Sequence, residues 1–474
     1  MQGKVNRFAE QLREKFGCPP DFTLREIAAP RFHGALVYLD GLLDVKELEN
    51  AVVLPLIKNQ TSVETLEDVQ KIVYYGGNLK EIALSEAEKS VASGCAVLLF
   101  GDKAVEIGAK KQAERAVSEP PTSAVVKGPR EGFVESVKIN VTLLRKRLKT
   151  SDLAVEEIVL GEKTNSKIAV AYLKSVADEK IAQTVKAKLQ EIEIDGVLDS
   201  SYLSKMLEEK PYSLFKQIGN SEKPDVITNK LLDGKIAVLC DGSPIVLYVP
   251  FVLIEDFEDV QDAYKRPLRA TFLRYIRLLG AFLALLLPAV FVAVQVYQFQ
   301  LLPVELLSTV VNSTGKIPFS PMLEMLVALL LFEILGEASI RMPRHVGLAL
   351  GVVGAIVLGE TAVQAGILSS LTVLVVAMSG IGLYSVPDEA GTLGVLRVLF
   401  VIISGLLGLI GLLLMGMAIL AYMTAMSSFG IPYLMPLAPI FKEDLKDAVV
   451  KRNLTDLKRR FASFALKNKN RGKR

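Results

Sequence analysis

Cysteine and histidine are scarce in this 474-residue chain, with three of the first and two of the second. Cys18, Cys95 and Cys240 are odd in number and far apart, which argues against a disulfide framework or a zinc spacing. Cys95 and Cys240 lie in apolar, strand-like runs and read as small buried hydrophobes. His33 and His345 are too distant in sequence to suggest a ligand cluster. The chain has no GxxxxGK[ST] phosphate loop, no GxGxxG after a strand, no Gly-x-Ser-x-Gly elbow and no Cys–His signature. These absences leave no warrant for an enzyme, a cofactor or a metal site. A net charge of +3 gives none for nucleic acid either. The opening residues Met1–Arg7 lack the apolar core of a signal peptide, so the N-terminal half is expected to stay in the cytoplasm.

Charge is the second scarcity, and it is local. The chain has 55 Lys+Arg and 52 Asp+Glu, yet only 11 charged residues fall in the 164 positions of Leu278–Phe441. About 20 apolar residues suffice for a transmembrane helix. Leu278–Leu302, Val346–Ser369 and Val398–Met435 meet that length, and Pro321–Ile340 meets it while carrying three glutamates. Lys265, Arg266, Arg269, Arg274 and Arg277, with Tyr264 and Tyr275, precede Leu278–Leu302, and Arg341, Arg344 and His345 follow Pro321–Ile340. Basic residues and interfacial aromatics mark a cytoplasmic flank. The expectation is an α-helical polytopic membrane domain of about four spans, with Leu371–Val386 re-entrant or interfacial. The tail, Lys442–Arg474, has 12 basic residues against four acidic ones and suits an anionic cytoplasmic leaflet.

Ionisable residues at membrane depth are expensive and face protein or water. Glu324, Glu333 and Glu337 are spaced to share one helix face. Glu360 stands alone in a Gly-rich run, where Ala349, Val353, Ile356, Glu360 and Val363 form one stripe, with Gln364 a further polar residue. In an oligomer that stripe would line a pore with a ring of carboxylates. Equally, it is a small-residue packing face, and an Arg341–Glu337 pair is a further structural option.

The charged half reads as α/β. Gly34–Asp40 and Cys95–Phe100 are strand signals separated by helical patterns, and Lys167–Leu173 and Ile236–Cys240 repeat the plan, either as two similar subdomains or as one mixed sheet with coincidental echoes. The expected layout is an N-terminal extension (1–30), a first subdomain (31–112), a linker (113–151), a similar second subdomain (152–258), a basic juxtamembrane helix (259–277), the membrane domain (278–435) and the tail (436–474). Within the linker, Gly128, Pro129, Arg130, Glu131 and Phe133 form a turn before an expected helix from Val134 to Lys149 whose Val134, Val137, Val141, Leu144 and Leu148 share a face. That stretch is a structural connection or a relay element.

Ser118–Thr122, Lys127–Glu135, Pro211-Tyr212-Ser213, Gln217–Asn220, Asp241–Pro244, Arg341–Arg344 and Ser428–Leu434 together resemble the A subunit of the GerA-type spore germination proteins. The likeness runs from about residue 31 to 450. It implies a homo-oligomeric subunit of the inner spore membrane, with N-terminal domain and tail on the cytoplasmic side. It also implies a polytopic, nutrient-binding B subunit and a lipoprotein C subunit as partners, membrane lipids around them, and cation release through a nutrient-gated channel. The SpoVAF-type paralogues, accessory to germination, share this architecture, and both readings stay open.

Overall fold

The strongest strand signals lie side by side. Residues Phe32–Leu39 and Ala96–Phe100 pair antiparallel in a five-stranded sheet. In chain order its strands are β1 (Phe22–Ala29), β2 (Phe32–Leu39), β3 (Leu79–Ile82), β4 (Ala96–Phe100) and β5 (Lys103–Ile107), arranged β1-β2-β4-β5-β3. The second sheet holds β6 (Leu153–Leu160), β7 (Ser166–Leu173), β8 (Gly219–Ser221), β9 (Ile236–Cys240) and β10 (Val246–Val249), arranged β6-β7-β9-β10-β8. The two orders are the same, and every neighbouring pair is antiparallel.

This computed structural model describes the chain except residues 1, 60, 64, 76–78, 109–127, 316, 342–353, 355, 442–443, 446–449, 454–458, 462–463, 465 and 472–474. It divides into two compact units. One is Met1–Phe251 with Ser427–Ile431 and Leu454–Arg474, and the other is Val252–Met426 with Pro432–Asn453.

In the first unit the apolar run of β4 is buried along its whole length, because successive side chains enter opposite faces and both faces are covered. Leu98 and Phe100 pack with Leu48, Val52 and Leu56. Val97 and Leu99 pack with Val5, Ala9, Leu12 and Phe16 of helix α1 (Gln2–Phe16), an apolar stripe at helical spacing. Residues 1–30, expected as an extension, therefore belong to the first subdomain: α1 covers one sheet face and β1 pairs with β2 over eight residues. The adjacent charges of Arg25 and Glu26 hide that strand from the sequence pattern. Thr65 and Asp68 form a capping box at the start of the helix Leu66–Ile72.

Part of the tail is a component of this unit. Phe464 and Leu466 are buried, Lys467 pairs with Glu179 at 2.9 Å and Arg471 with Asp233 at 2.8 Å. Arg460 Nε donates to the Leu232 carbonyl at 2.6 Å. These three cations are engaged with protein.

The first unit also holds helices α2 (Val137–Arg147), α3 (Glu179–Gln190), α4 (Ser200–Leu207) and α5 (Pro224–Leu232), and the second unit is helical: α6 (Pro267–Val296), α7 (Pro321–Arg341), α8 (Ser370–Leu383) and α9 (Ala390–Thr424). Ser379 bonds the Ala284 carbonyl and Ser385 lies against Arg277, so α8 runs antiparallel to α6. A straight 35-residue helix would be about 52 Å long, far beyond a bilayer core, but α9 is not straight. Gly408 takes φ +64°, ψ −151°, outside helical space. A Cβ on Gly411 would lie 2.9 Å from the Ile403 carbonyl oxygen, whereas residues eight apart in one helix are about 12 Å apart. The chain doubles back at Gly408, and the Tyr297 hydroxyl donates to the freed Leu406 carbonyl at 2.6 Å. The block expected as a single span is thus two antiparallel legs, 390–407 and 409–424.

Candidate functional site

In the helical unit the acidic residues singled out from the sequence separate. Glu324 is buried, and its carboxylate accepts the Ser369 backbone N–H at 2.7 Å. Ser369 is the N-cap of α8, with its hydroxyl accepting from Thr372 N at 3.2 Å. A carboxylate at a helix N-terminus meets orphan donors and the favourable end of the dipole, so Glu324 ties α7 to α8. Glu337 pairs with Arg341 one turn on, Nε to Oε1 at 2.7 Å, and both are exposed.

Glu333 engages a residue that the sequence reading did not single out. It pairs with Arg397 of α9, whose side chain is 0% exposed while Glu333 is 45% exposed. Arg397 Nη1 donates to the Ser379 hydroxyl at 3.0 Å, and Ser379 in turn donates to the Ala284 carbonyl at 2.8 Å. The guanidinium also lies 5.5 Å from the Phe332 ring centroid, within cation–π range. Gly380 admits that ring and Gly394 admits the carboxylate; a Cβ on Gly394 would be 3.2 Å from Glu333 Oε1. One charge pair therefore joins α6, α7, α8 and α9. The available signal was a lone arginine bordering an apolar run, which must find an acid.

Of the pore stripe, Ala349 and Val353 lie outside the described residues. Ile356 and Glu360 are exposed and Val363 is half-buried. Val357–Thr361 is a π-helical turn, a local widening often found at functional positions. Glu360 accepts from Gln364 Nε2 at 3.3 Å, with both side chains exposed. The basic flank is partly self-neutralised: Arg274 pairs with Asp262 at 3.2 Å and Glu258 at 3.1 Å, and Arg277 with Asp262 at 2.6 Å.

In the first unit the linker residues form a keystone. Gly128 adopts φ +121° at the start of the strap that holds Pro129 and Arg130. Glu131 pairs with Arg147 at 2.7 Å, and buried Phe133 donates its N–H to the Glu222 carbonyl at 2.8 Å. The strap leads into α2 (Val137–Arg147). Asn140 clasps both the N–H and the carbonyl of Val134 at 2.9 and 2.6 Å, and Asp241, after β9, accepts from Val137 N at 3.0 Å. On its other side α2 holds the first subdomain: Arg145, 1% exposed, grips Asp21 with two nitrogens, Nη2 at 2.8 Å. Lys138 reaches Asp40 at 2.6 Å.

Beneath α4, burial pushes the Cys240 thiol up to about 12, with the Asp199 and Asp241 carboxylates adding to the effect. A thiol so protonated is inert. At pH 8 maleimide is expected to modify exposed Cys18 and to leave buried Cys95 and Cys240 until the chain is unfolded, as read by mass spectrometry; modification of Cys240 in the folded chain would contradict this environment.

A region of two like-ordered antiparallel sheets, bridged by one helix and continued by an apolar helical unit with a buried ion pair, defines the class. Two of its helical stretches, Pro267–Val296 and Pro387–Thr424, are long and apolar enough to cross a membrane. Residues 10–463 match the family described as Bacillus/Clostridium GerA spore germination protein. Spore germination protein KA of Bacillus subtilis is 33% identical over 450 residues, covering 93% of this chain and 82% of that one. GerLA of Bacillus cereus is 31% identical over 471 residues, 97% of this chain and 95% of its own. The uncharacterized membrane protein YfkQ of B. subtilis is 31% identical, at 93% and 87% coverage. The crystal structure of the N-terminal domain of the A subunit of the Bacillus megaterium spore germinant receptor GerK3 aligns with 51% of this chain and 92% of that one, at 24% identity and a TM-score of 0.41. This chain belongs to the GerA family of spore germination proteins and is of the A-subunit type.

Proposed function

We propose that the helical unit, assembled as a homo-oligomer in the inner spore membrane, forms the cation-conducting part of a nutrient-gated germination receptor, with a B subunit binding the nutrient and a lipoprotein C subunit completing it. The role is conduction and signalling, not catalysis. The observation that supports it is Glu360: an exposed carboxylate on a π-helical turn within an apolar run, whose described partner is the neutral amide of Gln364. A carboxylate facing lipid costs several kcal/mol, so this face calls for water or another subunit. Glu333 and Glu324 have structural partners and are not assigned to the conduction path.

The helix directions support a topology with both ends on the cytoplasmic side. The first leg of α9 runs with α6, since Arg397 lies by Ser379 and Ala284 while Leu406 lies by Tyr297. Counting α8 and the extra leg as crossings raises the expected four to six, and the number stays even. Purified full-length protein in liposomes tests conduction: Glu360→Gln is expected to lower cation flux about tenfold, roughly 1.4 kcal/mol on the barrier. Flux absent in the parent favours a non-conducting scaffold, and flux unchanged in the variant removes Glu360 from the conduction path.

A further inference from the structure

β6 is an end strand of the second sheet, and part of its outer edge is open. The ladder determines which groups face outward. Asp241 N donates to the Lys167 carbonyl at 2.9 Å on the β9 side, and Lys174 N to the Asp152 carbonyl at 3.1 Å on the β6 side. Hydrogen-bonded pairs alternate along an antiparallel ladder. Ala154, Glu156, Ile158 and Leu160 therefore turn their backbone groups to β7, and Glu157 and Val159 present theirs at the free edge. Those outward N–H and C=O groups have no hydrogen-bond partner among the described residues. The Val159 side chain is exposed as well.

An unpaired edge is a template for another chain, and proteins usually blunt it. The opposite ends of the two sheets are short strands, β3 of four residues and β8 of three. The cavity that touches the remaining end strand, β1, at Glu26, Ile27 and Ala28 measures about 10 Å³, room for no more than about one water. The one beside β6 measures about 780 Å³.

This groove lies between residues 158–162 and residues 190–195, the segment that follows α3. Glu162 N donates to the Ile194 carbonyl at 3.0 Å and Lys163 N to the Asp195 carbonyl at 2.8 Å, which pins the segment to the hairpin loop. Ile158, Ile192 and Ile194 are half-buried against the core of the second sheet and give the groove its apolar lining. Glu162 and Glu193 line it too; both are exposed, and neither has an ion-pair partner among the described residues. The neighbouring lysines are occupied, Lys163 by Asp195 at 3.0 Å and Lys167 by Glu157 at 2.9 Å.

We propose that the edge at Glu157 and Val159 docks an extended segment of another protein, which adds to the second sheet as a further strand. Main-chain bonds to the edge supply affinity and alternate side chains supply specificity. The segment that fits has apolar side chains against Ile158, Ile192 and Ile194, and Lys or Arg opposite Glu162 and Glu193. A second copy of this strand fits less well, because it brings like charges together. The proposal rests neither on the membrane spans nor on conduction.

The probe is a capped peptide of about eight residues, lysine alternating with valine, added to the full-length protein in a non-ionic detergent. It is expected to slow hydrogen exchange at the Glu157 and Val159 amides about tenfold. Val159→Pro removes an outward donor and no β6–β7 bond, a change that edge strands tolerate. It is expected to weaken binding of the fluorescently labelled peptide about tenfold, with exchange in β7 and β9 unaltered. Glu162→Lys combined with Glu193→Lys is expected to weaken binding too, and to favour a glutamate–valine peptide instead. If the proline variant loses protection in β7 and β9, the charge reversal decides, and an unchanged affinity there overturns the proposal. Peptide bound while the two amides exchange at their free rate overturns strand addition. Equal binding of both peptides by the parent overturns the basic partner, and binding of neither overturns docking at this edge. Protection that needs no peptide and rises with protein concentration overturns the proposal in favour of a second copy.

Discussion

Glu333→Ala is expected to destabilise the helical unit by about 3–5 kcal/mol, because it strands a buried cation. Arg397 is 0% exposed and its guanidinium does not deprotonate in proteins. After the substitution its partners among the described residues are one hydroxyl, from Ser379, and the Phe332 ring. The reciprocal change is milder. Arg397→Met leaves Glu333, a carboxylate that is 45% exposed and not enclosed, so the expected loss is about 1–3 kcal/mol. Burying apolar groups of similar volume in place of an ion pair is often close to neutral. Glu333→Leu combined with Arg397→Met should therefore recover most of the stability that Glu333→Ala loses. The measurement is the thermal midpoint of the detergent-solubilised protein for the two single variants and the double. Additive losses, or a larger loss from Arg397→Met than from Glu333→Ala, would refute the pair as the tie among the four helices.

Arg145→Ala carries the second large effect, on the first unit. Arg145 on α2 is 1% exposed and binds Asp21, 11% exposed, through Nε and Nη2, while its Nη1 has no hydrogen-bond partner among the described residues. Removing the guanidinium leaves the Asp21 carboxylate in a largely dry site and opens a gap beside α2. About 3 kcal/mol is expected, roughly a hundredfold in a local opening equilibrium. The effect should be directional. Asp21 immediately precedes β1, and the Asp40 N–H donates to the Asp21 carbonyl at 2.7 Å. Amides of β1 and β2 should exchange hydrogen faster, while those of β7 and β9 keep their protection. Arg145→Lys should recover only part, since an ammonium cannot reproduce the two-nitrogen grip. Uniform loss of protection across both sheets would sink the idea that α2 is joined to the first subdomain mainly through this pair.

Local signals were enough where neighbours in sequence do the work. The strand runs Gly34–Asp40, Cys95–Phe100, Lys167–Leu173 and Ile236–Cys240 each became a strand because their apolar residues suit both covered faces. The repeat of strand and helix signals anticipated two sheets of one plan, and the GerA-type motifs anticipated the family. Asp178, an acidic residue directly before α3, caps that helix through Lys180 N at 2.9 Å.

What escaped was non-local. β1 is a strand because β2 offers it a full ladder, not because Phe22–Ala29 alternates. The turn at Gly408 is one glycine among several in α9, and hydropathy, which measures lipid compatibility, is blind to a reversal inside an apolar run.

Polar residues divide in the same way. Sequence by itself determined which half of the chain is apolar, which of its residues carry charge, and which family the chain resembles. Only the tertiary structure decided that Glu324 serves a helix terminus, Glu333 a buried arginine and Glu337 its own helix, while Glu360 is left facing outward with Gln364. The physical reason is that a charge in an apolar run must find a partner, and the partner is set by how helices distant in sequence pack.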